Sequence, residues 1–207
     1  KKTNLDEKLN NCSKDITKEK LGMSHLNKNK SKLAVIGAGK MGEAMISGFL
    51  KSGQYEPQDI QVFEVIENRS KYVSQTYKVT CVNKAEEAAS FADIIIIAVK
   101  PGDVKNALEQ IGPAINSGKI VVSIAAGVTL EFLKKYLPKN ISVVRVMPNM
   151  ACTVREAMIV VCPSENTKKE EQKMVTDTLS LLGRVITLDE KYLNLATGLV
   201  GSGPAYI

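Results

Sequence analysis

Apolar positions along residues 32–199 fall into short runs separated by stretches with helical spacing. Strand-length runs occupy Leu33–Ile36, Ile60–Glu64, Val79–Val82, Asp93–Val99, Ile120–Ile124, Ser142–Met147, Met158–Cys162 and Arg184–Leu188. Leu33-Ala34-Val35-Ile36 and Asp93-Ile94-Ile95-Ile96-Ile97-Ala98-Val99 are apolar without interruption, as strands buried on both faces of a parallel sheet are. Between them, Met41, Ala44, Met45, Gly48 and Phe49 recur at helical spacing, and Gly53 is a plausible stop. Further helices are predicted from Asn68, over Lys84–Phe91, after Pro101, from the N-cap Thr129 to Tyr136, over Lys168–Leu182 with Gly183 as its stop, and over Glu190–Leu199. Strands alternating with helices predict an α/β fold with a doubly wound, mostly parallel sheet.

In such sheets ligands sit beyond the carboxyl ends of the strands. The first strand ends in Gly37-Ala38-Gly39-Lys40-Met41-Gly42, a G-x-G-x-x-G spacing that opens a helix. The first glycine permits the tight turn, the second lets a pyrophosphate approach the backbone, and the third lets helix and sheet pack closely. The helix that follows turns free N–H groups and the positive end of its dipole toward phosphates. A glycine-rich turn of some other α/β protein reads similarly, so the later strand ends carry weight. Glu64 lies 22 residues beyond Gly42, near where this fold places an acid on the adenosine ribose. Arg69 in Asn68-Arg69-Ser70-Lys71 could instead hold a 2′-phosphate, so Glu64 points at NADH and Arg69 at NADPH. The remaining ends are Asn83, Val99-Lys100-Pro101, Ala125-Ala126 and Pro148-Asn149. Small residues at 125 and 126 would let a flat nicotinamide ring lie against the backbone, although Ala-Ala-Gly is also a common close-packed turn.

Charge changes little in this picture. The net charge of +6 over 207 residues looks basic. Residues 1–32 hold nine Lys and four acids, +5, while the remainder holds 19 basic and 18 acidic residues, +1. The Lys/Asn-rich segment 1–31 therefore reads as a solvated tail, and without aromatics it is a poor nucleic-acid arm. It lacks the apolar stretch of a secretory signal, no run approaches membrane-span length, and the ordered pattern starts only at Lys32. Cys12, Cys81, Cys152 and Cys162 form no C-x-x-C pair, so reduced, mostly buried cysteines and a cytoplasmic location are expected. His25, in the tail, is the one histidine, which argues against histidine catalysis and a metal site in the body.

GAGKMG at 37–42, Asn83-Lys84, AVKP at 98–101, AAGV at 125–128, RVMPN at 145–149, VRE at 154–156 and TGLVGSGPAY at 197–206 together resemble the pyrroline-5-carboxylate reductase family. GSGPAY is the narrowest of these, since glycine loops and alternating strands are shared by many dehydrogenases. The resemblance implies a Rossmann-type domain over 32–188 that binds NADPH or NADH. It also implies the start, at 189–207, of a C-terminal all-helical dimerisation domain, and hence a homodimer or higher homo-oligomer. The implied reaction is hydride transfer to the C=N bond of 1-pyrroline-5-carboxylate, giving L-proline, with neither nucleic acid nor membrane as partner. Carried over by position, Gly37, Ala38, Gly39, Lys40, Met41 and Gly42 would bind pyrophosphate and Asn83 the adenosine side. Ala98, Val99, Lys100 and Pro101, with Ile124, Ala125 and Ala126, would line the nicotinamide end. Glu190 matches an acidic position placed near cofactor and substrate, and the other catalytic residues are expected beyond Ile207.

The chain departs from the family pattern in three places. Met150-Ala151 stand where Thr-Pro is usual, Ala157 stands where Gly is usual, and the sequence reaches Ile207 where the helical domain has barely begun. Two other readings follow, a non-catalytic dinucleotide-binding paralogue and a related hydroxyacid dehydrogenase. GSGPAY argues against the second.

Overall fold

The computed structural model describes residues 30–201. Residues 1–29 of the expected tail, with His25 and Cys12, and the GSGPAY motif beyond its first residue, Gly201, lie outside the described residues. Eight strands form one sheet in the order β3-β2-β1-β4-β5-β6-β7-β8. They are β1 (Leu33–Ile36), β2 (Ile60–Phe63), β3 (Thr80–Val82), β4 (Ile94–Ile97), β5 (Ile120–Ser123), β6 (Ser142–Met147), β7 (Ala157–Pro163) and β8 (Gly183–Thr187). Strands β1 to β6 are mutually parallel, whereas β7 runs antiparallel to β6 and carries β8 parallel to itself. The helices are α1 (Lys40–Lys51), α2 (Glu67–Tyr77), α3 (Ala85–Phe91), α4 (Val104–Ile111), α5 (Leu130–Lys134), α6 (Lys169–Ser180) and α7 (Leu193–Ala196). A π-turn over Thr197–Gly201 follows α7.

The unbroken apolar runs serve two cores. Successive side chains of a strand point to opposite faces, so Ala34 and Ile36 of β1 join Ile95 and Ile97 of β4 on one side. Leu33 and Val35 join Ile94 and Ile96 on the other. All eight are at most 1% exposed, which leaves no polar face for either strand. Each such isoleucine contributes about 1.5–3 kcal/mol by leaving water.

The reversal at β7 has a simple cause. A parallel return needs a crossover of a dozen or more residues, usually helical. Only residues 148–156 separate β6 from β7, and they hold one 3₁₀ turn, Met150–Val154. Gly183 is not the helix stop its position predicts. Helix α6 already ends at Ser180, and Gly183 opens β8 with φ +151°, where a Cβ would stand 2.1 Å from the Ala157 carbonyl oxygen. Gly53, by contrast, has φ +70° just past the end of α1, as a left-handed helix stop requires.

Cys81, Cys152 and Cys162 are free thiols. Burial pushes the Cys152 thiol up to about 11. Since the thiolate is the nucleophile, Cys152 should resist alkylation in native protein near neutral pH and react only on unfolding. Mass-spectrometric mapping with and without denaturant checks this; native labelling at Cys152 would contradict the packing around it.

Candidate functional site

The parallel register brings the expected site residues to one edge of the sheet. Ile36, the last residue of β1, pairs with Phe63 and with Ile97, which end β2 and β4. Phe63 pairs with Val82 at the end of β3, and Ile97 pairs with Ser123 at the end of β5. The residues that leave this row are Gly37–Gly42, Glu64, Asn83, Ala98–Pro101 and Ile124–Ala126. All the expected cofactor-binding positions therefore emerge side by side.

At the centre, Gly37 turns out of β1 with φ +95° while its N–H donates to the Phe63 carbonyl at 2.8 Å. A Cβ there would meet Val99 Cγ1 at 2.8 Å and the Ala98 carbonyl oxygen at 2.9 Å. Gly42 is tighter, for a Cβ would lie 2.3 Å from the Gly37 carbonyl oxygen. These two glycines are thus filled by the protein itself. Gly39 differs: beyond its chain neighbours, no described residue stands within 4 Å of where its Cβ would be. It is the N-cap of α1, and the first intrahelical bond runs from Glu43 N–H to the Gly39 carbonyl at 2.9 Å. The N–H groups before Glu43 in the helix consequently have no intrahelical acceptor. Open space over a glycine at such a helix start suits a pyrophosphate.

Charged side chains of the adjoining segment close on the loop. The Ala38 N–H donates to Glu64 Oε2 at 2.8 Å, and the Ile66 N–H donates to Glu64 Oε1 at 3.0 Å. The Ala38 carbonyl accepts from Arg69 Nε at 2.6 Å. A terminal nitrogen of Arg69 is ion-paired with the Glu43 carboxylate in the first turn of α1. Glu43 also accepts from the hydroxyls of Tyr72 (3.2 Å) and Tyr77 (2.9 Å). Burial alone would raise the Glu43 pKa, but the hydrogen bonds from Arg69 and Tyr77 and the guanidinium charge hold it below the usual carboxylate value. Arg69, read from sequence as a possible 2′-phosphate ligand, is thus committed to Glu43 and to the loop backbone.

Across the row, Asn83, Lys100, Pro101 and Ala126 are exposed, Ala98 and Val99 half-buried, and Ile124 and Ala125 buried. Past the end of β6, Asn149 Oδ1 is buried without a hydrogen-bond partner among the described residues. A buried acceptor left unpaired is costly, and a donor on a bound group would satisfy it. The open Gly39, the free helix start and this acceptor together make the edge fit a dinucleotide.

Glu190 follows β8, whose last residue Thr187 pairs with Val161 of β7, itself the partner of Val146 next to Arg145 on β6. There Glu190 Oε1 accepts from the Leu130 N–H at 2.7 Å and from Arg145 Nη1 at 3.0 Å. Arg145 is 2% exposed, and its Nη2 also donates to Asn194 Oδ1 at 3.3 Å. Its register partner on β5 is Ser123, the residue before Ile124. No spacing in the sequence joins Arg145, Glu190 and Asn194 as a cluster, and the lone Arg between Val-Val and Val-Met in a strand is its one signal there.

The family model "NADP oxidoreductase coenzyme F420-dependent" matches residues 32–127. The pyrroline-5-carboxylate reductase of Methanosarcina acetivorans is 37% identical over 176 residues, 85% of this chain and 65% of that protein. Among solved structures, the Plasmodium falciparum pyrroline carboxylate reductase with NADP bound superposes with a TM-score of 0.78 at 28% identity, covering 86% of this chain and 64% of that one. The Coxiella burnetii pyrroline-5-carboxylate reductase gives 0.80 at 28% identity, covering 86% and 66%. The chain spans less than two thirds of the length of each of these relatives.

Proposed function

We propose that this chain is the dinucleotide-binding part of a pyrroline-5-carboxylate reductase, like the relatives it resembles, and that it holds NADH or NADPH for reduction of 1-pyrroline-5-carboxylate to L-proline. The observation that carries the reading is the single row of strand ends around an open Gly39. When bound, the reduced nicotinamide is the hydride source for the C=N carbon. The described residues supply its placement. Gly37–Gly42 would take the pyrophosphate on backbone N–H groups, Glu64 the adenosine ribose, and Asn83 the adenosine side. Ala98–Pro101 and Ile124–Ala126 would flank the nicotinamide. A protonated imine is already electrophilic, so positioning is the main task left to the protein.

Under this reading residues 32–188 form the nucleotide-binding domain and 189–207 begin a helical dimerisation domain, with a homodimer or higher homo-oligomer as the working form. The buried face of α7, Leu193 and Ala196, and the exposed Leu195 and Leu199 of the same segment fit a helical layer that continues past it. The cytoplasm is the compartment that unbridged Cys81, Cys152 and Cys162 favour. Among the described residues no helix is long and apolar enough to cross a membrane.

The test is oxidation of NADH and NADPH by the full gene product with 1-pyrroline-5-carboxylate, with L-proline identified by mass spectrometry. Turnover with proline formation supports the assignment. Dinucleotide binding without turnover would sink it and favour a non-catalytic paralogue, the reading that Met150, Ala151 and Ala157 keep in play.

A further inference from the structure

Resting on the dinucleotide reading above, we propose that this chain selects NADH over NADPH, and that Glu43 enforces the choice by holding Arg69 away from the ribose. Selection between the two coenzymes turns on the group at the ribose 2′ position, a hydroxyl in one and a phosphate in the other. A site for the phosphate needs a free cation there, and a site for the hydroxyl needs a free acceptor.

Glu64 is that acceptor. Each of its carboxylate oxygens takes one backbone N–H, from Ala38 and from Ile66. An ionised carboxylate offers about four lone-pair sites, so roughly two remain for a ribose diol. The same backbone bonds fix the carboxylate beside the phosphate loop, where it would face a 2′-phosphate with like charge and nothing to donate.

Arg69 is the cation that could offset this, and two of its three nitrogens are already engaged. Nε is on the Ala38 carbonyl, a terminal nitrogen is on Glu43, and the guanidinium carbon lies 5.0 Å from the centre of the Tyr72 ring. Its side chain is 23% exposed. Glu43 is in turn locked by Tyr72 and Tyr77 and kept ionised, so the pair has little freedom to open. Lys71 is paired with Glu67 at 2.6 Å. Lys40 belongs to the phosphate loop, as the first residue of α1. The Ala38 peptide is therefore gripped at its N–H by the residue that accepts the ribose and at its carbonyl by the cation withdrawn from it.

Calorimetric titration of the intact chain with each reduced coenzyme tests the proposal. NADH should bind at least ten-fold tighter than NADPH, about the discrimination expected from one charge-assisted hydrogen bond exchanged for one repulsion. Glu43→Gln keeps an acceptor for the tyrosines but frees the guanidinium, and should raise NADPH affinity by about ten-fold while moving NADH by less than about two-fold. NADPH binding in that variant should also become steeper in salt. Arg69→Met should move both affinities together in the parent and cancel the NADPH gain in the Glu43→Gln background. Should Glu43→Gln unfold, as circular dichroism would show, Glu64→Gln takes its place and should shift the ratio toward NADPH. Three outcomes overturn the proposal: tighter binding of NADPH by the parent, an Arg69→Met loss confined to NADPH in the parent, or a ratio unmoved in folded Glu43→Gln. Failure of the parent to bind either coenzyme overturns the nucleotide-site reading itself, and the proposal with it.

Discussion

Gly39→Val is expected to leave the fold standing and to weaken binding of either coenzyme by at least about a hundred-fold. The two halves of that expectation have separate causes. Gly39 has φ −61° and ψ −170°, extended backbone that valine adopts readily. Apart from its own chain neighbours, no described residue has an atom within 4 Å of the added Cβ, so the surrounding fold need not move. The cost to stability is that of a poorer N-cap, about 1 kcal/mol. The space the side chain enters is the approach to the helix start, where a bound pyrophosphate would touch backbone N–H groups. Gly42→Ala is the contrasting variant. Its methyl would sit 2.3 Å from the Gly37 carbonyl oxygen, a contact that only a shift of α1 away from β1 could relieve. It should lower the midpoint of thermal unfolding before any ligand is considered. Thermal unfolding and titration on both variants separate the roles. A folded Gly39→Val protein with undiminished coenzyme affinity would remove the loop from the site.

That contrast also marks how far the sequence could be read. The unbroken apolar runs at Leu33–Ile36 and Ile94–Ile97 follow from burial on both faces, which the sequence records directly. Strand ends at Glu64, Asn83, Ala98 and Ile124 follow from the same runs, because a parallel sheet forces their ends into one row. Which glycine is filled by protein and which stands open depends on distances across the turn that spacing does not encode. The partnership of Arg69 with Glu43 joins residues 26 apart through rotamers, and no periodicity marks it. Gly183 misled for a related reason. A glycine three residues past a helix reads as a stop, yet here it is required by the Ala157 backbone on the neighbouring strand. The reversal at β7 was within reach, since the nine residues 148–156 are too few for a helical crossover.

Glu190→Ala should be the most destabilising change in the segment that follows β8, at about 3 kcal/mol, and Arg145→Met should cost much less. The asymmetry comes from burial. Arg145 is 2% exposed, while the Glu190 side chain is 32% exposed. Removing the carboxylate leaves a guanidinium in the core with one long bond to Asn194 Oδ1 at 3.3 Å and an Nε that has no partner among the described residues. An uncompensated buried charge carries most of its desolvation cost. Removing the arginine leaves a carboxylate that still accepts from the Leu130 N–H and reaches water. Methionine fills most of the vacated volume among Val143, Met147 and Cys162, which share that core. The double variant should therefore be more stable than Glu190→Ala alone, the reverse of additive loss. Urea unfolding of the three variants and the parent gives the cycle, with a common dependence on denaturant as the condition for comparing them. If Arg145→Met costs as much as Glu190→Ala, the guanidinium is stabilising in its own right. The 190–201 segment would then be held by the ion pair rather than by the apolar contacts of Leu193 and Ala196.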